Sequence, residues 1–182
     1  MRILMGKMRR STLVAVAVGI TLVGTSPTEG QQTTSMDQFV GTWKLLNFFS
    51  RNVDTGGTVN RLGDHPRGYL VLTADGWIAL TFVDSSRKAH GGATPTDAEA
   101  AELWRTMIGY VGRYHVDPAP TEAGYKVTVR SEVSAAPTQE GIDRDFFLKT
   151  EGNKLTATST PPARNPSTGE MTTQNLVYEK AR

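Results

Sequence analysis

The chain has 182 residues, 38% of them hydrophobic, with 18 glycines, 9 prolines and no cysteine. This composition favours one β-rich domain behind a short N-terminal segment, and it excludes disulfides, thiol catalysis and cysteine-based metal sites. The formal net charge is +2, but 4 of the 20 basic and 1 of the 18 acidic residues precede residue 31. The remaining chain therefore has 16 basic and 17 acidic residues. Such a balance gives no support for a nucleic-acid partner.

The first residues have the pattern of a targeting segment. Arg2, Lys7, Arg9 and Arg10 precede an apolar run from Leu13 to Val23, which is short for a membrane span. We predict a signal peptide over residues 1–30, a disordered leader over 31–36 and a folded domain over 37–182, with no membrane span after cleavage. The mature protein is then secreted or periplasmic; an uncleaved N-terminal anchor is the alternative.

The first predicted strand begins at a Gly-x-Trp tripeptide. Gly41 permits a sharp backbone turn, and Trp43 brings a large apolar ring whose N–H needs a partner. The segment from Lys44 to Arg51 follows with a composition typical of a strand. A short strand at Thr58 to Arg61 is expected next.

Two further strands form a predicted hairpin. Gly68 to Thr73 and Trp77 to Val83 are rich in β-branched and aromatic residues, and Asp75-Gly76 lies between them. An Asp-Gly turn between two such runs is typical of a β-hairpin.

One helix is predicted in the middle of the chain. Thr96 and Glu99 have the spacing of a capping box, and good helix formers follow from Ala98 to Met107. At helical spacing, Leu103, Met107 and Trp104 are expected to face the core. Together with the loop from Asp84 to Thr94, this helix is a candidate lid for an open end of the domain.

The rest of the chain consists of strands joined mostly by short turns. We predict these strands at Tyr110–Val116, Tyr125–Val133, Asp143–Thr150, Lys154–Ser159 and Met171–Lys180. About eight consecutive antiparallel strands tend to close into a barrel, because closure removes the unpaired edges. The predicted fold class is therefore all-β, a closed antiparallel barrel with one inserted helix.

Several of these motifs, in this order, resemble the lipocalin-like domain family of bacterial and fungal proteins. They are Phe39–Leu45, Pro66–Leu70, Thr73–Trp77, Tyr110–Tyr114 and Leu176–Lys180. The resemblance implies a closed barrel with a lumen, in which Trp43 packs near a basic residue of the last strand, here Lys180, and Gly41 is structural. Where many relatives have histidines, this chain has Val129 and Arg130, so no role is transferred to that pair.

Strand alternation supplies candidate ligand contacts. If Trp43 points inward, every second residue after it on the same strand also points inward. In the hairpin we take the face of Tyr69 and Trp77 as inward, and in the strand around Gly112 the face of Tyr110 and Tyr114. The candidates are Asn47, Phe49, Tyr69, Trp77, Thr81, Tyr110 and Tyr114. A bulge would reverse the faces midway along a strand. These aromatics fill the core if there is no pocket.

Other polar residues carry weaker signals. Arg130 lies on the polar face of its strand and is expected outside, and Asp143-Arg144-Asp145 is interpreted as a surface run at a strand end. His65, His90 and His115 lack ligand spacing, so we predict no metal site and no cofactor.

Three functional hypotheses remain open. The first is an exported barrel, monomeric or weakly dimeric, that binds a small hydrophobic or aromatic molecule in its lumen. The second is an enzyme of the cyclase or isomerase type on the same barrel, with Tyr110 and Tyr114 as acid–base groups. The third is an envelope protein whose barrel is filled and has no ligand.

Overall fold

A computed structural model describes residues 36–165 and 168–182. The predicted signal peptide and nearly all of the predicted leader lie outside these residues. Ten strands and one α-helix are found in the described part of the chain. The strands are β1 Gly41–Asn52, β2 Thr58–Asn60, β3 Arg67–Leu72, β4 Trp77–Val83, β5 Met107–Val116, β6 Tyr125–Ser134, β7 Asp143–Glu151, β8 Lys154–Thr160, β9 Ala163–Arg164 and β10 Met171–Lys180.

Eight of these strands form a closed antiparallel barrel. Neighbouring strands pair in the order β1-β3-β4-β5-β6-β7-β8-β10, and β10 pairs back with β1 from Trp43↔Lys180 to Asn52↔Thr172. The short strands β2 and β9 pair with β1 and β10 beside the barrel. The prediction of a closed all-β barrel is confirmed, and closure leaves none of the eight barrel strands with an open edge.

The β3–β4 hairpin forms at the Asp-Gly turn, as predicted. Gly76 has φ +84°, a conformation that glycine adopts without steric strain. The Thr73 amide donates to the Trp77 carbonyl at 3.0 Å, and the Trp77 amide donates to the Thr73 hydroxyl at 2.9 Å. The turn is thus held by the residues that identify it in the sequence.

The barrel has two different ends, because its strands alternate in direction. The first end holds the starts of β1 and β6 and the last residue of β10; the second holds the ends of β1 and β8 and the starts of β5, β7 and β10. We call the first the Trp43 end, because Trp43 lies near the start of β1, and the second the Arg144 end, because Arg144 lies near the start of β7.

Packing around Trp43 closes the first end. The Trp43 indole is 2% exposed and its Nε1–H donates to the Phe39 carbonyl at 2.7 Å. The Lys180 ammonium lies 4.3 Å from the centroid of the Trp43 ring and donates to the Val40 carbonyl. The contact that the family resemblance implied between Trp43 and Lys180 is therefore present.

The α-helix, α1 Asp97–Arg105, joins β4 to β5 at the Arg144 end. Its capping box is formed as predicted: the Thr96 hydroxyl accepts from the Glu99 amide, and the Glu99 carboxylate accepts from the Thr96 amide at 2.8 Å. The core-facing prediction is wrong, because α1 buries none of its residues and Trp104 is 57% exposed. Met107 begins β5 instead of ending the helix. Among the described residues, no helix has the length and apolar character needed to span a membrane.

Candidate functional site

An apolar cavity of about 80 Å³ lies inside the barrel. All eight barrel strands contribute inward side chains around it, and most of these side chains are aliphatic or aromatic. The lining residues are Phe48, Leu70, Leu72, Ile78, Leu80, Phe82, Ile108, Tyr110, Val127, Val129, Arg144, Phe146, Leu148, Ala157, Gln174, Leu176 and Tyr178. The interior of this barrel is therefore not completely filled by its own side chains.

A second, larger space adjoins this cavity at the Arg144 end. It has a volume of about 470 Å³ and is lined by the starts of β7 and β10, the end of β8 and the segment around β9. Arg144, Phe146 and Gln174 line both spaces. We call the outer space the vestibule, and these three residues form the neck between it and the cavity.

Among residues 36–165 and 168–182, Arg144 is the one cationic residue that lines the cavity. Its guanidinium carbon lies 4.5 Å from the centroid of the Tyr110 ring. Its Nε and Nη2 atoms are buried and have no hydrogen-bond partner in the part of the chain that the structure describes. Buried N–H donors are nearly always paired, so two unpaired donors on one charged group are unusual.

The carboxylates next to Arg144 in the sequence belong to other ion pairs. Asp143 accepts from Arg130 at 3.0 Å, and Asp145 accepts from Lys126 at 2.9 Å and from Thr128 at 2.7 Å. The Thr128 hydrogen bond, followed by the Lys126 hydrogen bond, lowers the pKa of Asp145. Alternate residues of a strand point to opposite faces, which explains why these carboxylates do not meet the Arg144 side chain.

Two phenols complete the polar lining of the cavity. Burial raises the pKa of Tyr110, against an opposing effect of the Arg144 charge. Burial, and then the neighbouring Tyr110, raise the pKa of Tyr178 well above its ordinary value. Both phenols therefore remain protonated at neutral pH and can donate a hydrogen bond.

Asn47 and Phe49, predicted to face the lumen, lie on the outer side of β1. The register shifts between Leu45 and Asn47, so one extra residue on β1 reverses the faces beyond it. Phe48 is the residue that lines the cavity. The inward prediction is correct for Trp43 and wrong for Asn47 and Phe49.

The inward prediction is also wrong for Tyr69, Trp77 and Thr81. Tyr69 is 52% exposed and Thr81 is exposed, whereas their neighbours Leu70 and Leu80 line the cavity. Trp77 lies on the outer surface with the Arg113 guanidinium 3.5 Å from its ring centroid. The sequence contained a signal: one hairpin face carries only aliphatic and phenyl side chains, and the other includes threonines.

Tyr110 and Tyr114 both point inward, as predicted, but at different depths. Tyr110 lines the cavity, whereas Tyr114 does not and is 5% exposed. The Tyr114 hydroxyl donates to the Thr73 carbonyl at 2.8 Å, and burial, followed by Asp75 and Asp37, raises its pKa to about 12. Tyr114 thus ties β5 to the β3–β4 turn.

Gly112 does not leave space in the lumen. A Cβ at this position would lie 2.7 Å from the Cα of Ser131 on the neighbouring strand. The register of β5 and β6 shifts at Gly112, and the bulge brings the two backbones too close for a side chain.

The sequence interpretation missed Arg144, Phe146, Gln174 and Tyr178 as lining residues. Arg144 was interpreted as part of a surface run, but it shares strand parity with the apolar Phe146 and Leu148 and points inward with them. That parity was readable in the sequence. Arg130, in contrast, is exposed on the outer face as predicted.

No cluster of metal ligands is found in the described ranges: no three or more histidine, aspartate or glutamate side chains converge. His65 and His115 are exposed, and the Nε2 atom of His115 lies 3.8 Å from the Oδ1 atom of Asp117.

A family model described as a lipocalin-like domain matches residues 40–181, which include all ten strands and the helix. No curated protein matches the chain.

Proposed function

The chain belongs to the lipocalin-like domain family, and on that premise we propose that it binds a small, largely apolar molecule inside its barrel. The observation that carries the proposal is the cavity, enclosed by aliphatic and aromatic side chains and polar only at Arg144, Gln174 and the two phenols. Burial of apolar surface would drive binding, and the few polar groups would orient the molecule.

The volumes limit the size of the ligand. The cavity of about 80 Å³ is several times the ~10–15 Å³ that one water needs, and smaller than the ~300 Å³ or more of pockets for drug-sized molecules. A ligand with one ring or a short alkyl chain fits this range. A longer molecule would extend through the neck into the vestibule of about 470 Å³.

The binding hypothesis has more support than its two alternatives. General acid–base catalysis is most efficient when the pKa of the catalytic group lies near the working pH, and burial raises the pKa values of Tyr110 and Tyr114 further above neutrality than that of an ordinary phenol. The hydroxyl of Tyr114 is also engaged by the Thr73 carbonyl. A filled barrel would lack the cavity described above.

We also propose that the protein is exported, with removal of its N-terminal segment. The support is the basic and apolar pattern of the first residues, Arg2 to Val23. The N-terminal sequence of the protein recovered from the cell envelope or medium tests this, and an intact Met1 on protein retained inside the cell contradicts it.

Native mass spectrometry of protein purified without detergent is the first test of binding. We expect a stoichiometric small molecule that is released on denaturation, or stoichiometric uptake of small single-ring probes such as benzene derivatives by the ligand-free protein. Absence of any bound or acquired molecule across such probes would refute the proposal.

A pair of variants locates the bound molecule. Ala157 is 7% exposed and lines the cavity, so Ala157→Leu extends a side chain into that space and should weaken binding about tenfold or more. Trp77→Ala removes a larger side chain from the outer surface and is the matched control, with unchanged affinity expected. Thermal unfolding of both variants verifies that they fold. The reverse order of effects would place the ligand elsewhere.

A further inference from the structure

We propose that the ligand carries a carboxylate, which the guanidinium of Arg144 binds at the neck while the apolar body of the ligand occupies the cavity. This inference rests on the proposed function and adds the chemical class of the ligand: a small carboxylic acid with an otherwise apolar aromatic or aliphatic body.

The unpaired donors of Arg144 are the first argument. A buried charged group without partners is costly, and each unsatisfied buried donor destabilises the protein. The contact with the Tyr110 ring at 4.5 Å stabilises the charge and orients the guanidinium plane, but it satisfies neither the Nε nor the Nη2 proton. Nε and one Nη of an arginine form the two-pronged arrangement that matches a carboxylate.

The surrounding charges are the second argument. The vestibule carries three arginines, Arg61, Arg144 and Arg164, and no ion pair of theirs is found among residues 36–165 and 168–182. Its two carboxylates, Asp143 and Asp145, are neutralised by Arg130 and Lys126. The approach to the cavity is therefore positive, which favours entry of an anion.

The position of Arg144 is the third argument. It lines both the cavity and the vestibule, so a carboxylate on Nε and Nη2 would have apolar surface on one side and the vestibule on the other. The protonated phenols of Tyr110 and Tyr178 line the same cavity as hydrogen-bond donors. An amphipathic acid matches this division, whereas a wholly apolar molecule leaves the Arg144 donors unpaired.

Matched pairs of acids and amides test the inference. The purified protein is titrated calorimetrically with phenylpropionate and phenylpropionamide, naphthoate and naphthamide, and hexanoate and hexanamide at neutral pH. Each pair shares its apolar body and differs in charge. We expect the acid of the best-fitting pair to bind about tenfold or more tightly than its amide, because a charged hydrogen-bonded pair is stronger than a neutral one.

Three variants assign the preference to Arg144. Arg144→Met should remove the preference for the acid while leaving amide binding within about twofold, and Arg144→Lys should retain part of it because the charge remains. Arg182→Met is the matched control: it makes the same chemical change at an exposed arginine beyond the end of β10, at the Trp43 end, so the preference should persist.

A stability measurement separates a binding role from a structural one. If Arg144 is retained for a ligand, Arg144→Met relieves an unpaired buried charge and the ligand-free variant should melt at a temperature equal to or above that of the wild type. A lower melting temperature together with an unchanged acid preference identifies a structural arginine and overturns the inference.

The outcomes also separate the inference from the proposed function. Equal binding of acids and amides, unaffected by Arg144→Met, overturns the carboxylate assignment and leaves the apolar binding function in place; the Arg144 donors are then satisfied by water. Failure of every acid and every amide to bind overturns the proposed function, and the inference with it.

Discussion

At the scale of single residues, Gly41 and Lys180 depend on each other to close the Trp43 end of the barrel. Gly41 has φ +130°, and a Cβ added there would lie 2.5 Å from the Lys180 ammonium. That ammonium occupies its place because it contacts the Trp43 ring and the Val40 carbonyl. The glycine is thus required both by its backbone conformation and by the lysine that covers it.

A double-mutant cycle should reveal this dependence. Gly41→Ala should lower the free energy of unfolding by about 1–3 kcal/mol, from backbone strain and the clash with Lys180. In Lys180→Ala the clash is absent, so Gly41→Ala should destabilise that background less than it destabilises the wild type. Urea unfolding of the four proteins measures both effects. Strict additivity would show that the backbone conformation alone is responsible.

At the scale of elements, α1 is attached to the barrel rather than built into it. Its side-chain link to β6 is the Trp104 indole, which donates to the carbonyl of Ala135 just beyond that strand at 3.1 Å, and no residue of α1 is buried. None of its residues lines the cavity or the vestibule, although it joins the barrel at the Arg144 end. A helix with so little burial relies on local interactions such as its capping box.

Removal of the cap should therefore act on α1 alone. Thr96→Ala deletes the hydroxyl that accepts from the Glu99 amide, a change that costs a helix about 1 kcal/mol. Hydrogen exchange of the α1 amides should accelerate about fivefold, while exchange in the barrel strands and the melting temperature stay unchanged. Thr94→Ala, outside the helix, is the control. Accelerated exchange in β4 or β5 would instead show that the helix stabilises the barrel.

At the scale of the whole molecule, closure of the barrel depends on the pairing of the first and last strands. Trp43 pairs with Lys180 across nearly the full length of the domain, and Leu176 on β10 pairs with both Phe48 and Ala157. All three of those side chains line the cavity. The binding space therefore exists only when the ring of strands is complete.

Truncation before Met171 should abolish cooperative folding. Without β10, the edges of β1 and β8 are left open and the buried side chains of Leu176 and Tyr178 are missing. Thermal unfolding followed by circular dichroism should show no sharp transition, whereas deletion of the exposed Arg182 alone should leave the transition intact. A sharp transition in the truncated chain would mean that seven strands form a stable sheet without closure.

Some features of this fold were determined by the sequence alone, and others were not. The order of the strands, the Asp-Gly hairpin and the Thr96 cap were predictable, because short-range turn and capping chemistry specifies them within a few residues. The contact of Trp43 with Lys180 was predictable only through the family resemblance. The interior face of the hairpin is present in the sequence as the apolar pattern of Leu70, Leu72, Ile78 and Leu80, whereas the predicted inward residues Tyr69 and Trp77 lie on the opposite face.

Only the tertiary structure decided which side chains share the cavity. Strand faces alternate with a period of two, so the single extra residue between Leu45 and Asn47 places Phe48 inside and Phe49 outside. The strand parity of Arg144 is present in the sequence, but only the structure shows that its carboxylate neighbours pair with Arg130 and Lys126 on the other face. Strands and turns follow from local chemistry, whereas the register and the partners of a buried charge depend on strands distant in the sequence.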